Sequence, residues 1–494
     1  MIQRLRIRQQ LLSIIALLII ILGIAIRLKV YMQNRSLIID EANLARNIVE
    51  KDYGGYFKSL DYEQYAPPLY SVLTKVLTKI IGVNEFAFRL PSLVAGIMSL
   101  LLILWIGKTV IKKRVGIWYT LMLFACSILA IRYATEFKPY AGDAAITLGF
   151  VWWALKTKQN GIRPITILWW TFTGIVVVWY SMPVVFTLAA AGLAIFLEAW
   201  NTHRKIIPSI ILMGLAWAIS FGTYYLLILH HDAHTDYLTH YHKAYFFDFL
   251  PASRAEASQS LELLISLFRS ATDQTIISLA WAGSTFLTGL LLLFKKNRFA
   301  FILLGGPVLF CLIASHLQVY SLIPRLTLFI IPLIIILIGA GVSLVWEKAN
   351  RIGQLVLLAV MILTIINKDG YTYLWERMEL ENSKSVMKYI KEHPQNDTFI
   401  FVQHDGVPAF IFYNEMYDQP WGFTHYYLAH WDDSAEQLIR QSLKNSGDDT
   451  FWIFLSHTFP QKHIDQYILM GENIGDEIDR FISTQASCYL FKRN

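Results

Sequence analysis

The sequence predicts a polytopic α-helical membrane protein with about eleven membrane-spanning helices and a small C-terminal α/β domain. The first observation is composition: 55% of the 494 residues are hydrophobic and 16% are charged, too little polar surface to cover a soluble globule of this size. The second is a recurrence of long apolar runs up to residue 367. The third is a change at Lys368, after which the sequence becomes polar and resembles a soluble domain.

The net charge is +7, but it does not indicate a nucleic-acid partner. The basic residues form short clusters between apolar runs, a pattern that encodes orientation in a bilayer. Cys126, Cys311 and Cys488 are far apart in the sequence, two of them inside apolar runs, and are expected to be packed thiols.

Each apolar run is about 16 to 22 residues long, enough or nearly enough to cross the hydrocarbon layer as a helix. The first follows Arg4, Arg6 and Arg8 without a small-residue cleavage site, and is therefore expected to be an uncleaved anchor. The predicted spans are 11–26, 92–107, 115–131, 141–155, 165–180, 184–200, 207–229, 274–294, 299–315, 326–346 and 352–367.

The connections between spans predict the topology. Alternate connections hold clusters such as 112–114 and 295–298, whereas the short connections on the other side hold only Arg132, Lys138 and Arg325. The positive-inside rule then places the N-terminus in the bacterial cytoplasm. Residues 1–367 form the predicted membrane domain, with long outer loops 27–91 and 230–273, and residues 368–494 form an extracytoplasmic domain.

The predicted C-terminal domain alternates helices and strands, which suggests an α/β layer. Residues 383–392 and 434–443 have helical patterns, and 398–403, 451–456 and 486–491 have strand patterns. No glycine-rich phosphate loop or paired-cysteine metal motif occurs in it.

Charge within the spans is nearly absent, and Asp143 and Glu198 lie near span ends. The alternative function, a transporter or flippase for a lipid-linked sugar, needs ionisable groups at mid-depth. A receptor-like protein working through its tail would not need charges from several outer connections. The charged candidates collect instead in four outer connections.

In the first connection, Asp40 stands at the start of a predicted surface helix, 41–51. From the sequence it is either a helix cap or a general base that takes a proton from an acceptor hydroxyl. Tyr62 and Tyr65 follow, then an amphipathic stretch, 69–80, that is expected to lie on the bilayer.

The other three connections each leave two roles open. Arg132 and Lys138 in segment 132–140 are interfacial anchors or ligands. The third connection has a metal-ligand spacing at His230 and His234, so it is either a metal site or a solvated loop. Arg325 is an anchor or a phosphate ligand.

Four motifs taken together resemble the GT-C membrane glycosyltransferases, in the branch of the protein O-mannosyltransferases and the lipid A aminoarabinose transferase. They are the Asp40-Glu41 pair, the Tyr-x-x-Tyr-Ala-Pro-Pro-Leu-Tyr segment 62–70, the segment 82–92 before the second span, and segment 133–140. The resemblance covers roughly residues 1–350; beyond it only the architecture matches.

The resemblance implies an inverting hexosyl- or pentosyltransferase that uses a polyprenyl-phosphate-linked sugar at the outer face of the cytoplasmic membrane, with a lipid, glycan or protein acceptor. It implies that Asp40 is the catalytic base, with Glu41 beside it. Substrate contacts are expected from the outer connections, at Tyr62, Tyr65, Arg132, Glu136, Lys138, Tyr140 and Arg325.

One departure concerns the phosphate contact. The aminoarabinose transferase has a lysine beside the proline of the first-loop segment, whereas this chain has Tyr65-Ala66; Lys138 is the candidate replacement. No cofactor is assigned and no metal ligand is predicted, although a pair of carboxylates could hold a divalent ion and metal dependence stays open.

Overall fold

The computed structural model describes residues 2–230, 241–272, 274–366, 369–430, 435–457 and 461–494. Fifteen α-helices of the first part are labelled in chain order. They are α1 Ile2–Met32, α2 Ile39–Glu50, α3 Pro68–Ile81, α4 Glu85–Val110, α5 Arg114–Ala125, α6 Ile128–Tyr133, α7 Tyr140–Asn160, α8 Pro164–Val177, α9 Val184–Thr202, α10 Ile207–Tyr224, α11 Arg254–Ala271, α12 Ile276–Lys296, α13 Arg298–His316, α14 Ile331–Lys348 and α15 Arg351–Ile366.

The described residues include seven helices that are long and apolar enough to cross a membrane. They correspond to α1, α4, α9, α10, α12, α13 and α14. Helices α5, α8 and α15 are apolar but shorter, and α7 has 21 residues. Every predicted span overlaps a helix, but span 115–131 is divided between α5 and α6, and span 326–346 begins in the turns that precede α14. The prediction of a polytopic helical membrane protein is confirmed.

The first helix is longer than its predicted span, because it continues past Ile26 to Met32. Arg27 does not end the helix, since its guanidinium donates to the carbonyl oxygens of Gly23 at 3.0 Å, Phe124 at 3.1 Å and Ala125 at 3.2 Å. A charge bonded in this way can remain in a buried helix. The loop that follows, predicted to begin at residue 27, therefore begins after Met32.

The loops predicted to be outside contain more helix than the sequence predicted. The surface helix expected at 41–51 is α2, and the amphipathic stretch 69–80 is α3, with Leu73, Val76 and Ile80 exposed. The helix α11 lies within the segment predicted as the long outer loop 230–273. The sequence does not predict this helix, because Ser, Glu and Gln residues interrupt the spacing of its apolar residues.

The C-terminal part contains helices α16 Ser383–Glu392, α17 Val407–Ile411, α18 Ala435–Ser446 and α19 Gln461–Glu472. Its strands are β1 Phe399–Val402, β2 Tyr426–Leu428, β3 Thr450–Ser456, β4 Gly475–Ser483 and β5 Ala486–Arg493. They form one sheet in the order β2-β1-β3-β5-β4, in which β1, β2 and β3 are parallel and β5 is antiparallel to β3 and β4. The predicted α/β layer is confirmed; β2, β4, α17 and α19 were not predicted.

The two faces of this sheet have different partners. On one face, residues such as Phe401 and Ile453 pack with side chains of α18 and α19. On the other, Val402 and Phe454 belong to the same core as Leu44 and Ile48 of helix α2. Because side chains alternate between faces along a strand, one face closes its own domain and the other is shared with the outer loop.

Polar contacts reinforce this shared core. The Tyr413 hydroxyl accepts a hydrogen bond from the Leu37 amide at 2.7 Å and donates one to Glu85 Oε1 at 2.9 Å. The Lys384 ammonium lies 2.7 Å from the same Glu85 oxygen. The C-terminal part therefore holds in place the segment just before α2, the helix that carries Asp40.

The three cysteines are buried and free, as expected.

Candidate active site

Helix α2 begins with two neighbouring carboxylates that have different surroundings. Glu41 accepts a hydrogen bond from the backbone amide of Ile38 at 3.2 Å and so satisfies an amide at the helix start. The side chain of Asp40 makes no such bond. The cap alternative for Asp40 is therefore wrong, because Glu41 performs that role.

Glu41 is completely buried and both of its oxygens are occupied. Arg89 binds it with Nε 2.9 Å from Oε1 and Nη2 2.7 Å from Oε2, and the Phe137 amide donates to Oε1 at 2.6 Å. Burial by itself raises the pKa of Glu41, but Arg89 and these hydrogen bonds outweigh it and lower that pKa. The sequence grouped Glu41 with the base; this geometry suits a residue that positions its neighbours.

Glu41 fixes the positions of Asp40 and Lys138. Asp40 is the preceding residue on α2, and Lys138 follows the bonded Phe137. Lys138 Nζ lies 3.7 Å from Asp40 Oδ2 and donates to Gln64 Oε1 at 3.0 Å. One buried carboxylate thus fixes both members of a cation–carboxylate pair.

Asp40 is the accessible member of this group. Its side chain is 41% exposed, whereas that of Lys138 is 9% exposed. The Lys138 ammonium is the main cause that lowers the pKa of Asp40; burial opposes it, and Arg325, a hydrogen bond from Gln64 and His457 lower it further. Asp40 is therefore ionised at neutral pH and able to accept a proton.

A second charged group lies beside Lys138 in the same connection. Arg132 Nε contacts the buried Glu136 Oε1 at 2.6 Å. Burial raises the pKa of Glu136, Arg132 opposes this, and Glu41 adds to the increase. Arg35 is also buried there and donates to the Thr135 carbonyl at 2.7 Å. These contacts fix the shape of the segment that carries Lys138.

Arg325 approaches the site from the other side. Its guanidinium lies 5.9 Å from the ring centre of Tyr241, and both Tyr140 and Asp40 raise its pKa against the effect of burial. The ring of Tyr140 packs edge-on against Tyr133, with centres 5.0 Å apart. In the described part of the chain, no carboxylate forms an ion pair with Arg325. Its charge is available for a ligand.

The two tyrosines of the first loop are separated. The Tyr65 hydroxyl contacts that of Tyr224 on α10, and burial raises the Tyr65 pKa. Tyr62 bonds to Glu50 at 2.8 Å and stacks on Arg46, at the end of α2 opposite Asp40, about 15 Å along the helix. The structure therefore brings together Asp40, Lys138, Tyr140 and Arg325, places Arg132, Glu136 and Tyr65 beside them, and leaves Tyr62 apart.

Four residues at this site were not singled out from the sequence. Arg89 lies in the segment 82–92, and its charge beside Phe86, Phe88 and Leu90 was the available signal; Gln64 lies in the segment 62–70 among other polar residues and gave no signal. Glu381 and His457 come from the C-terminal part, where no sequence pattern indicates the contact. Glu381 accepts a hydrogen bond from the Ile39 amide at 3.4 Å, next to Asp40.

The described residues contain no group of three or more His, Cys, Asp or Glu side chains arranged to hold a metal ion. The two adjacent carboxylates do not form a chelating pair, because Glu41 points into the protein toward Arg89. Of the predicted histidine spacing, His234 lies outside the described residues.

Comparison with solved structures identifies the fold. The chain is similar to ArnT from Cupriavidus metallidurans in its apo state, with a TM-score of 0.52 and 12% identity over 97% of each chain. The fold is that of the GT-C glycosyltransferases. A structure of the same ArnT bound to undecaprenyl phosphate has a TM-score of 0.51, also at 12% identity over 97% of each chain.

An oligosaccharyltransferase from Archaeoglobus fulgidus aligns with a TM-score of 0.48 at 11% identity, over 95% of this chain and 72% of that one. No family model matches the sequence, and no curated protein matches it. The similarity to ArnT confirms, at the level of fold, the GT-C resemblance stated from the motifs.

Proposed function

We propose that this chain is an inverting GT-C glycosyltransferase of the bacterial cytoplasmic membrane. It transfers a sugar from a polyprenyl-phosphate donor to a hydroxyl of a lipid, glycan or protein acceptor at the outer face. The observation that carries the proposal is the half-exposed Asp40 carboxylate held beside Lys138 in a GT-C fold. The N-terminus is cytoplasmic in this proposal, and the C-terminal part is extracytoplasmic.

Asp40 acts as the general base. Its carboxylate takes the proton of the acceptor hydroxyl while that oxygen forms a bond to the anomeric carbon of the donor sugar. The bond from this carbon to the phosphate oxygen breaks, and its electron pair leaves with the polyprenyl phosphate. Because the oxygen attacks from the face opposite to the leaving group, the anomeric configuration inverts.

Lys138 and Arg325 stabilise the leaving group. The phosphate gains negative charge as the glycosidic bond breaks, and fixed cations at that point lower the barrier. Arg325 has the geometry for two parallel hydrogen bonds to a phosphate and carries no competing carboxylate among the described residues. Lys138 supplies a point charge and also keeps Asp40 ionised.

The charge distribution supports a transferase over a flippase. The ion pairs of Asp40 with Lys138 and of Arg132 with Glu136 lie in connections between the spans, which the positive-inside rule predicts to be outside. A flippase requires polar groups along a path through the bilayer. ArnT, which shares the fold, has been solved with undecaprenyl phosphate, and this supports a donor of that class here.

The test compares strains that lack the gene and carry wild type, Asp40→Asn or Glu50→Gln. Mass spectrometry of surface lipids, glycans and proteins should show one sugar modification that wild type and Glu50→Gln restore and Asp40→Asn does not. Native mass spectrometry of the purified protein should also detect bound undecaprenyl phosphate. A modification restored equally by Asp40→Asn would contradict the proposal.

A further inference from the structure

The carboxyl edge of the C-terminal sheet has the topology of a ligand site. Strands β1 and β3 are parallel neighbours. The chain leaves β1 toward β2 on one side and leaves β3 toward β4 on the other. In open α/β sheets, ligands bind in the crevice outside the strand ends where connections diverge in this way.

The residues after β1 form a polar group at this edge. Gln403 Nε2 donates to Asp405 Oδ2 at 2.7 Å, and His404 Nε2 lies 2.6 Å from Asp405 Oδ1. A Cβ atom on Gly406 would lie 3.0 Å from the Phe454 ring, so glycine lets this loop pack closely on β3. Gln403 is 95% buried, and its Oε1 has no hydrogen-bond partner among the described residues.

His457, the residue after β3, connects this edge of the sheet to the helix turn that carries Asp40. His457 has a left-handed backbone with φ +56°, and its Nδ1 lies 3.3 Å from Glu381 Oε2. The same oxygen accepts the hydrogen bond of the Ile39 amide at 3.4 Å. His457 and the residue preceding Asp40 therefore contact one carboxylate oxygen.

Electrostatic effects agree with this geometry. The hydrogen bond to Glu381 is the largest cause that raises the pKa of His457; burial opposes it, and Asp405 and Asp40 raise it further. Asp40 and Asp405 therefore both lie within electrostatic range of one imidazole. The carboxyl edge of the sheet and the first turn of α2 therefore lie on either side of the Glu381 carboxylate.

We infer that this edge, formed by Gln403, Asp405 and His457, binds the acceptor and that the bound group is a carbohydrate. The inference rests on the proposed function, since it places the acceptor hydroxyl at Asp40. Sugars present many hydroxyls that donate and accept, and the edge offers carboxylate and amide oxygens together with amide and imidazole donors. The unsatisfied Gln403 Oε1 provides one further acceptor.

Two other acceptor classes fit less well. A phosphorylated lipid headgroup would meet the carboxylates of Asp405 and Glu381, which repel it. A peptide would use backbone hydrogen bonds, but the nearby amides of Gln403 and Gly406 are already bonded to Phe454 O and Gln403 O.

The test uses purified full-length protein and the polysaccharide fraction extracted from the strain that lacks the gene. Binding of this fraction should be about tenfold weaker for Asp405→Asn, which removes a carboxylate acceptor, and for His457→Gln, which removes the imidazole. Binding of undecaprenyl phosphate should be unchanged in both. Lipid and protein fractions from the same strain serve as the competing probes.

His425→Gln is the matched control. His425 Nδ1 lies 3.2 Å from Asp448 and its side chain is 42% exposed, compared with 3.3 Å and 44% for His457, but it stands at the start of β2, on the opposite edge. It should bind all probes as wild type does. Equal polysaccharide binding by all variants, or a loss confined to the lipid or protein probes, would overturn the inference. Failure of undecaprenyl phosphate to bind wild type would instead count against the proposed function.

Discussion

The two ends of helix α2 differ in how their charges are held. At the first turn, Glu41 is buried against Arg89 and holds Asp40 near Lys138. At the last turn, Glu50 lies 3.5 Å from Arg46 and bonds to Tyr62 at the protein surface. Surface ion pairs contribute little to stability, whereas a buried pair is destabilising when one partner is lost. Function is therefore expected at the first turn alone, although both ends are equally rich in charge.

The largest contrast is expected between Asp40→Asn and Glu50→Gln. Loss of a general base should lower the rate of sugar transfer by about 100- to 10,000-fold, while Glu50→Gln should leave it unchanged. Transfer is measured in membrane fragments that contain the endogenous donor and acceptor, by mass spectrometry of the product. Glu50→Gln should unfold at the wild-type temperature, because it weakens only a surface ion pair, whereas Asp40→Asn should unfold at a lower temperature, because the buried Lys138 loses its carboxylate partner. Equal rates for the two variants would remove the distinction between the helix ends.

The second contrast concerns stability. Glu41→Gln leaves the buried Arg89 guanidinium without its counterion, which should cost about 3–5 kcal/mol of folding free energy. Glu50→Gln weakens the ion pair with Arg46 at the more exposed end of α2 and should change stability by less than about 0.5 kcal/mol. Denaturant unfolding of the detergent-purified proteins measures both. A Glu41→Gln protein as stable as wild type would show that the buried pair does not hold the first turn.

The third contrast is between arginines that do and do not face the site. Arg325→Ala should weaken the binding of undecaprenyl phosphate by about 10- to 100-fold, the range for a lost hydrogen bond to a charged group. Arg254→Ala, at the exposed start of α11, should have no effect. Titration followed by intrinsic tryptophan fluorescence gives both affinities. Unchanged affinity of Arg325→Ala would return that residue to an anchoring role.

A smaller effect is expected on the pH dependence of transfer. The Lys138 ammonium is the main cause that lowers the pKa of Asp40. In Lys138→Met this pKa should rise, so that protonation of the base, and loss of activity, begins at higher pH than in wild type. Arg132→Met is the control, since its partner is Glu136. The pH–rate profiles of the two variants should differ on the acid side; profiles that coincide would contradict the assigned pairing.

The sequence predicted the membrane fold and the position of Asp40 for physical reasons. Apolar runs of sufficient length must form helices in a bilayer, and a carboxylate at a span end is visible in one dimension. The contacts of Glu41 with Arg89 and Phe137 join segments about 50 and 100 residues apart. Such contacts leave no local pattern, so the sequence could not separate the roles of the two carboxylates.

The contribution of the C-terminal part was hidden for the same reason. Its helices and central strands follow local periodicity, and α16 has the predicted bounds. Strand β2 has three residues and β4 has exposed polar side chains, so neither shows a clear strand pattern. The proximity of Glu381 and His457 to Asp40 depends on how the sheet packs on α2, which only the tertiary structure provides.

The smallest effect is expected at Tyr62, which the sequence grouped with the substrate contacts. Its hydroxyl bonds to Glu50 and its ring stacks on Arg46, both at the last turn of α2. Tyr62→Phe removes one exposed hydrogen bond, so stability should change by less than about 0.5 kcal/mol and transfer should proceed at the wild-type rate. Tyr65→Phe is the matched comparison, because Tyr65 is packed against Tyr224 beside the site. If Tyr62→Phe slows transfer more than Tyr65→Phe, the acceptor path must extend along α2, and the contrast between its two ends would no longer hold.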